Sequence, residues 1–369
     1  MRIGIDARLN GYRAGGISEY TRCLIEALAL LDKQNEYYIL HAARRTTTAN
    51  LVPAHNFKRI NVYTPAHHRF ERTALAAEIT PLRLDVLHSP DFVPPRFGTH
   101  FKIITVHDLN FLHSPQFQTP DSLRYYAGNI RAAVREADHI LTVSQSAAND
   151  LYNLLGVPAE KITIQPEGVS PEFRPLPTQE IRAVRERLGL PSTYLLFVGT
   201  FEPRKNLPGL LNAYHALLSR LPDAPSLVIV GRRGWLYDSI FSSAEALGLG
   251  NQLHWVEDVT PADLPAVYNG AVALILPSFY EGFGLPPLEA MACGVPTIVS
   301  NRGSLPEVVG DAGVLIDPDD YDSICDGLYR ILTDSALREQ CRRRGLARAA
   351  TYTWQRTAEI ALTVYRMGC

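Results

Sequence analysis

The sequence predicts an α/β protein with two doubly wound domains, each a mostly parallel sheet with helices on both faces. Three observations predict this class. The chain of 369 residues is too long for one ordinary hydrophobic core. Short apolar runs alternate with helical patterns in both halves. Residues 165–177 contain four prolines, interrupt the alternation near the middle, and form the predicted linker.

The individual elements follow from local periodicity. In the first half, the strand candidates are RIGID, YYILH, DVLHS, KIITVHD, HILTVS and ITIQPEG. Residues 17–31 and the run SLRYYAGNIRAAVREA carry apolar side chains at helical spacing. In the second half, the strand candidates are YLLFVGT, SLVIVG, LHWVED, VALILPS, PTIVS and GVLID, with helices from Asn206 and near Tyr237. The predicted domains are residues 1–168 and 174–351.

Composition and charge limit the partners. Hydrophobic residues make up 46% and charged residues 20%, which is typical of a globular protein. A net charge of -2 gives no overall field that would attract nucleic acid. The five scattered cysteines have no metal-ligand spacing, so we expect no metal site and a reducing, cytoplasmic compartment. No apolar run reaches the roughly eighteen residues of a membrane span, although a peripheral membrane contact stays open.

The run EGFGLPPLE is the strongest candidate site. It begins at Glu281, directly after the apolar run VALILPS, and ends at Glu289 inside a predicted short helix. Gly282 and Gly284 allow the backbone to approach a ligand closely. The free N–H groups at the start of such a helix favour an anionic or hydroxyl-rich ligand.

Three further segments carry candidate side chains at the ends of predicted strands. VGTFEPRKN follows a strand and opens a helix, which puts Arg204 and Lys205 beside a helix N-terminus that attracts anions. His107 ends the strand KIITVHD, where an imidazole can donate to a hydroxyl. Gly15 and Gly16 form a loop after the first strand.

The sequence SFYEGFGLPPLEAMACGVPTIVS resembles the signature of glycosyltransferase family 4, the group 1 glycosyltransferases. Seven residues separate Glu281 from Glu289, as in the motif of that family. The resemblance covers nearly the whole chain and implies the GT-B fold, in which two Rossmann-like domains face a central cleft. It also implies that the C-terminal helix, residues 352–369, packs back on the first domain.

The resemblance assigns roles to the residues around the donor sugar. Glu281 and the backbone that follows it are expected to hold the donor hexose; this backbone belongs to Gly282, Phe283, Gly284 and Leu285. Glu289 is expected to bind the ribose hydroxyls, for which a carboxylate offers paired acceptors. His107 matches a family histidine that faces the donor sugar.

The diphosphate and the base of the donor are assigned in the same way. Lys205 matches the diphosphate-binding lysine of the family. Thr200 stands where many members have an arginine, and Arg204 is the candidate that supplies the missing charge. Gly15 and Gly16 resemble the glycine loop that approaches the donor phosphate or the acceptor.

Three weaker assignments complete the resemblance. Arg232 follows another strand and is expected to meet the nucleotide or the phosphate. The segment near Val259 resembles the one whose backbone holds the base. Residues 67–70 (HHRF) are a candidate acceptor-facing segment or, equally, a solvated loop.

The resemblance implies a retaining, metal-independent hexosyltransferase that uses a nucleotide diphosphosugar as substrate and needs no cofactor. GDP-mannose is the first donor expected and UDP-glucose the second. The expected acceptor is a glycan or a lipid-linked glycan in surface polysaccharide synthesis, at the inner face of the membrane. A sugar-nucleotide epimerase of the same fold and a non-catalytic nucleotide-sugar-binding protein remain alternatives.

Two short motifs are set aside. The run DPDD at 317–320 contains an Asp-x-Asp, but its place before a helix is typical of turn and cap residues. The run GFGLPP has a proline where the third glycine of a dinucleotide fingerprint belongs.

Overall fold

The computed structural model describes residues 1–11, 15–44 and 53–368 of the protein. These residues divide into two compact units, one formed by Met1–Gly168 with Thr353–Cys369 and the other by Val169–Tyr352. The chain therefore passes between the units twice, at 168–169 and at 352–353. No helix within the described ranges combines the length and the apolarity that crossing a membrane requires.

The first unit is built on a parallel sheet of seven strands among its described residues. The strands are β1 (Arg2–Asp6), β2 (Glu36–Ala42), β3 (Phe57–Val62), β4 (Leu84–Ser89), β5 (Thr99–Val106), β6 (His139–Thr142) and β7 (Ile162–Ile164). Their order across the sheet is β3-β2-β1-β4-β5-β6-β7. The edge strand β3, FKRINV, is absent from the sequence prediction because its exposed Lys58, Arg59 and Asn61 interrupt any apolar run.

The helices of the first unit come from both ends of the chain. They are α1 (Gly16–Leu31), α2 (Glu71–Ile79), α3 (Asn110–His113), α4 (Pro120–Glu136), α5 (Gln145–Leu155) and the last helix, α14 (Trp354–Tyr365). Helix α14 begins two residues after the predicted Tyr352, because the hydroxyl of Thr353 accepts from Arg356 N and caps the helix. Ala358 and Tyr365 of this helix are buried in the same core as Leu24 of α1.

The second unit repeats the plan with a sheet of six parallel strands in its described part. The strands are β8 (Tyr194–Val198), β9 (Ser226–Val230), β10 (Leu253–Val256), β11 (Ala273–Leu276), β12 (Thr297–Ser300) and β13 (Gly313–Ile316), in the order β10-β9-β8-β11-β12-β13. The helices are α6 (Thr178–Arg187), α7 (Leu207–Arg220), α8 (Asp238–Ala246), α9 (Leu264–Asn269), α10 (Leu285–Ala292), α11 (Leu305–Val309), α12 (Tyr321–Thr333) and α13 (Ser335–Ala349).

The central strands explain why the sequence predicts this class correctly. All residues of β8 and of β11 are buried, as expected where helices cover both faces of a parallel sheet. Such strands appear in the sequence as continuous apolar runs rather than as alternating patterns. The predicted α/β class with two doubly wound sheets is confirmed.

Candidate active site

The strand order of the second sheet reverses beside β8. Strand β8 lies between β9 and β11; the chain continues from β8 to β9 on one side and from β11 to β12 on the other. The loops that leave β8 and β11 therefore diverge and open a crevice at the carboxyl edge, where doubly wound sheets bind their ligands. The segments VGTFEPRKN and EGFGLPPLE belong to these two loops.

Glu281 joins the two loops through its carboxylate. The residue is 7% exposed, and both of its carboxylate oxygens are bonded. Oε1 accepts from Lys205 Nζ at 2.7 Å and from Ser278 Oγ at 2.6 Å. Oε2 accepts from the Arg204 guanidinium at 2.6 Å. The structure thus brings together three of the four side chains that the sequence predicts to be catalytic.

The local backbone of the two cations differs from the prediction. Arg204 and Lys205 do not open the following helix but lie in a short 3-10 turn, Pro203–Lys205. Asn206 adopts a left-handed conformation with φ 54° and separates this turn from α7, which begins at Leu207. The turn directs both cationic side chains onto Glu281, so these side chains are buried instead of crowning a helix end.

Arg204 also holds the loop that carries Glu281. Its guanidinium donates to the carbonyl of Tyr280 at 2.7 Å and to Oε1 of Glu202 at 2.6 Å. Its own carbonyl accepts from Phe279 N at 2.9 Å. Arg204 therefore stabilises the geometry of the crevice through several bonds and is not simply a cation waiting for a ligand.

The electrostatic environment keeps Glu281 ionised. Burial by itself raises the pKa of a carboxyl group, but the charges of Arg204 and Lys205 outweigh burial and lower the pKa of Glu281 to about 2. The bonds from Lys205 and Ser278 act in the same direction. The crevice therefore offers carboxylate acceptors for hydroxyl groups next to cationic donors for an anion.

Gly303 and Ser304 support the backbone of Glu281 from the loop after β12. Gly303 has φ 58°, and a Cβ atom there would lie 2.8 Å from the carbonyl oxygen of Glu281. The hydroxyl of Ser304 donates to the same oxygen at 2.9 Å, and it also contacts the carbonyl oxygen of Phe283. The segment SNRGSLPEVV is therefore part of the structure that holds the site.

Glu289 lies on α10 and is positioned by a tyrosine from α9. The hydroxyl of Tyr268 donates to Oε2 of Glu289 at 2.6 Å. Burial, followed by the Glu289 charge, raises the pKa of Tyr268 well above its usual value, so this hydroxyl stays a donor. Helix α10 begins after Gly284, whose φ of 121° favours glycine, as the predicted close backbone approach requires.

The remaining donor candidates lie in the same unit. Gly282 and Phe283 are buried and Leu285 is half-buried. Thr200 and Arg232 lie on adjoining loops: a Cβ atom on Gly234 would approach the Thr200 methyl group at 2.6 Å, and Phe201 N donates to the carbonyl of Arg232. The Arg232 residue is exposed. Val259 packs against the core cluster that contains Tyr268.

The DPDD run behaves as the sequence predicts. Asp320 accepts from the backbone N–H of Asp322 at 2.9 Å and caps α12. Arg302 pairs with Asp317 and Asp319 at 3.1 Å each. These contacts confirm the interpretation of this run as a turn and a helix cap.

The first unit contains the other candidates. Gly15 and Gly16 are exposed at the start of α1, and Gly15 O accepts from Glu19 N at 3.0 Å. Residues 12–14 of the same predicted loop lie outside the described residues. His107 follows β5 directly; its Nε2 lies 3.1 Å from the carbonyl oxygen of Pro90, and its Nδ1 lies 3.3 Å from Oε1 of Glu167.

Residues 67–70 form a polar and aromatic surface in the first unit. His67 pairs with Asp91 at 2.8 Å and packs against the ring of Tyr125. The guanidinium of Arg69 lies over the ring of Phe70, which is 57% exposed. The segment therefore has one member tied to the unit and others that face solvent.

Two residues of the site are missing from the sequence prediction. Tyr268 contacts Glu289, and Glu167 contacts His107. Glu167 lies in the proline-rich run that the sequence assigns only to the linker, and Tyr268 lies on an ordinary amphipathic helix. Neither has a sequence signal, because each acts through a residue distant in the chain.

Comparison with known proteins agrees with the resemblance over the whole length. Residues 14–173 match the family described as Glycosyltransferase Family 4, and residues 180–348 match Glycosyl transferases group 1. O-antigen chain mannosyltransferase B of Escherichia coli is 32% identical over 374 residues, which cover 96% of this chain and 97% of that protein. This chain belongs to glycosyltransferase family 4.

Solved structures agree with the fold of this glycosyltransferase. Sucrose-phosphate synthase from Thermosynechococcus elongatus superposes with a TM-score of 0.81 at 22% identity, over 99% of this chain and 98% of that one. HepE of Anabaena, solved in complex with UDP-glucose, gives a TM-score of 0.78 at 17% identity, over 99% and 100% of the two chains. The predicted GT-B class, with two Rossmann-like domains, is thereby confirmed.

Proposed function

We propose that this glycosyltransferase transfers a hexose, with mannose as the first candidate and glucose as the second, from a nucleotide diphosphosugar to a glycan or lipid-linked acceptor in surface polysaccharide synthesis. The observation that carries the proposal is the buried cluster in which Glu281 is bonded to Lys205 and Arg204. Mannose is favoured because the full-length relative is an O-antigen mannosyltransferase. Glucose follows because HepE was solved with UDP-glucose.

The proposed roles follow the chemistry of each group. Lys205 and Arg204 stabilise the negative charge that develops on the departing diphosphate. Glu281 accepts from hydroxyl groups of the hexose, together with backbone N–H groups of 282–285. Glu289 accepts from the ribose hydroxyls, with Tyr268 fixing one of its oxygens. His107 is assigned to a hexose hydroxyl by resemblance alone.

The proposed reaction retains the anomeric configuration and needs no metal ion. The bond between the anomeric carbon and the diphosphate oxygen breaks, and the acceptor oxygen bonds to the same face of that carbon. The acceptor proton passes to the departing phosphate oxygen, so charge and atoms balance. Lys205 and the Arg204 guanidinium supply the charge stabilisation that a metal provides elsewhere.

The proposed location is the inner face of the cytoplasmic membrane, where lipid-linked acceptors are found. The surface of residues 67–70, with the exposed Phe70 and the neighbouring Arg69, supports a peripheral contact there. Sedimentation with vesicles of anionic phospholipid tests this part of the proposal. A protein that stays in the supernatant at low salt contradicts it.

The decisive experiment incubates the protein with GDP-mannose or UDP-glucose and methyl α-mannoside, with and without EDTA. We expect one donor to yield a disaccharide whose new linkage keeps the donor configuration, as read by NMR, with EDTA having no effect. A β-linked product contradicts retention. A changed nucleotide sugar formed without acceptor favours the epimerase alternative, and binding without turnover favours the non-catalytic one.

A further inference from the structure

We propose that Glu167 is the positioning residue of His107, and that it sets the orientation in which the imidazole meets the donor hexose. The inference rests on the proposed function, because His107 has a role only if the chain handles a donor sugar. It adds to that function a residue that no sequence motif identifies. The observations that carry it all come from the first unit.

The first observation is the burial of the Glu167 carboxylate. Glu167 is 4% exposed, and its Oε1 lies 3.3 Å from Nδ1 of His107. A buried carboxylate is stable only where polar or charged partners compensate for its lost hydration. A glutamate in this place is therefore costly unless it has a partner such as His107.

The second observation is that the ring of His107 is fixed on three sides. Nε2 lies 3.1 Å from the carbonyl oxygen of Pro90, and because a carbonyl only accepts, Nε2 is the donor of that bond. The ring of Tyr20 meets the imidazole edge to face, with centroids 4.8 Å apart. Glu167 supplies the third restraint at Nδ1, so the rotation of the ring is set by the pair of oxygens on either side.

The third observation is that the backbone on both sides of Glu167 is pinned. Gln165 is fully buried, accepts from the hydroxyl of Tyr20 at 2.5 Å and donates to the carbonyl of Thr357 at 2.7 Å. The hydroxyl of Thr357 donates to the carbonyl of Pro166 at 2.7 Å. The carboxylate is thus held by helix α14, from the far end of the chain, and is placed before any ligand binds.

Gly168 completes this support. A Cβ atom at Gly168 would lie 2.2 Å from the backbone nitrogen of Trp354, which no side chain can accommodate. The run Gln-Pro-Glu-Gly therefore lies flat against the start of α14. A glutamate that merely ended a strand would need none of these restraints, whereas a residue that must hold an imidazole within a few tenths of an ångström does.

The test compares Glu167→Gln, Glu167→Ala, His107→Ala and the double variant, with kcat and KM measured for GDP-mannose and methyl α-mannoside. UDP-glucose replaces GDP-mannose if it is the donor that turns over. We expect Glu167→Ala to lower kcat between about 10- and 100-fold with a smaller change in KM, since a misplaced group costs turnover. Glu167→Gln keeps the shape and recovers part of the loss. The double variant is no slower than His107→Ala, because both changes remove the same interaction.

Asp32→Asn is the matched control. Asp32 is also a buried carboxylate of the first unit, but it is bonded to Tyr37 and Asn35 instead of to His107. A loss of kcat that tracks only the melting temperature, as in Asp32→Asn, overturns the inference. So do a normal kcat in Glu167→Ala and losses that multiply in the double variant. A normal kcat in His107→Ala removes the proposed role of the histidine itself, which is a different failure.

Discussion

Nζ of Lys205 and Oε1 of Glu281 lie 2.7 Å apart in the second unit, although 76 positions separate the two residues in the chain. One residue follows β8 and the other follows β11, the neighbouring strands at which the sheet order reverses. The ion pair therefore spans the crevice in which a doubly wound sheet binds its ligand. Removal of either partner changes both the charge and the shape of that crevice.

Replacement of Lys205 by Ala is expected to lower turnover of the donor at least about 100-fold, because the departing diphosphate loses a preorganised cation. The melting temperature is expected to fall as well, since Glu281 loses one of its buried partners. Lys58→Ala is the control, because that lysine forms an exposed pair with Glu36. Steady-state kinetics and thermal unfolding measure both effects, and near-normal turnover of folded Lys205→Ala contradicts the role.

The low pKa of Glu281 predicts a defined acid sensitivity. Its pKa is about 2 in the folded protein and 4.5 as the ordinary value, so the ionised form is favoured by folding. This contribution to the free energy of unfolding is complete above pH 4.5 and is lost as the pH falls from 4.5 towards 2. Urea unfolding of the wild type and of Glu281→Gln, compared between pH 6 and 3, measures it.

The difference between the two pH profiles isolates Glu281 from other carboxylates such as Asp263, whose pKa is also lowered to about 2, chiefly by bonding to Arg187. The wild type is expected to lose stability more steeply with falling pH, by at most about 1.4 kcal/mol per pH unit. Parallel profiles would show that Glu281 has no such linkage.

Tyr268→Phe is expected to weaken binding of the nucleotide diphosphate several-fold, because Glu289 loses the bond that fixes one of its oxygens. Tyr214→Phe is the matched control: this buried tyrosine donates to the carbonyl of Pro225 at 2.9 Å, in the same unit but on another helix. Isothermal titration with GDP and with UDP measures both variants. Equal affinities for the two would mean that the hydroxyl of Tyr268 has only a structural role.

Gly303→Ala is expected to reduce both stability and turnover. The new Cβ atom would lie 2.8 Å from the carbonyl oxygen of Glu281 and would displace the loop that carries the carboxylate. Gly189→Ala separates this clash from backbone strain, because Gly189 has a similar φ of 64° but nothing within 4 Å of its Cβ position. Strain alone costs about 1–2 kcal/mol, so Gly189→Ala should lose stability with turnover unchanged. Equal turnover in the two variants contradicts the supporting role of Gly303.

The sequence by itself determined the architecture and the segments that carry the site. Continuous apolar runs such as YLLFVGT indicate strands buried on both faces, and the glycines and prolines of EGFGLPPLE mark a helix start after such a strand. These signals are local, because burial on both faces and the backbone requirements of a tight turn act within a few residues. The edge strand β3 escapes this logic, since its exposed face selects polar residues.

Only the tertiary structure decided which side chains act together. The pairing of Lys205 with Glu281, of Tyr268 with Glu289 and of Glu167 with His107 joins residues from different strands and helices. The 3-10 turn that aims Arg204 at Glu281 depends on the left-handed Asn206, which gives no distinctive pattern in the sequence. A buried charge takes its pKa and its role from its neighbours in space, and the spacing of residues along the chain does not specify those neighbours.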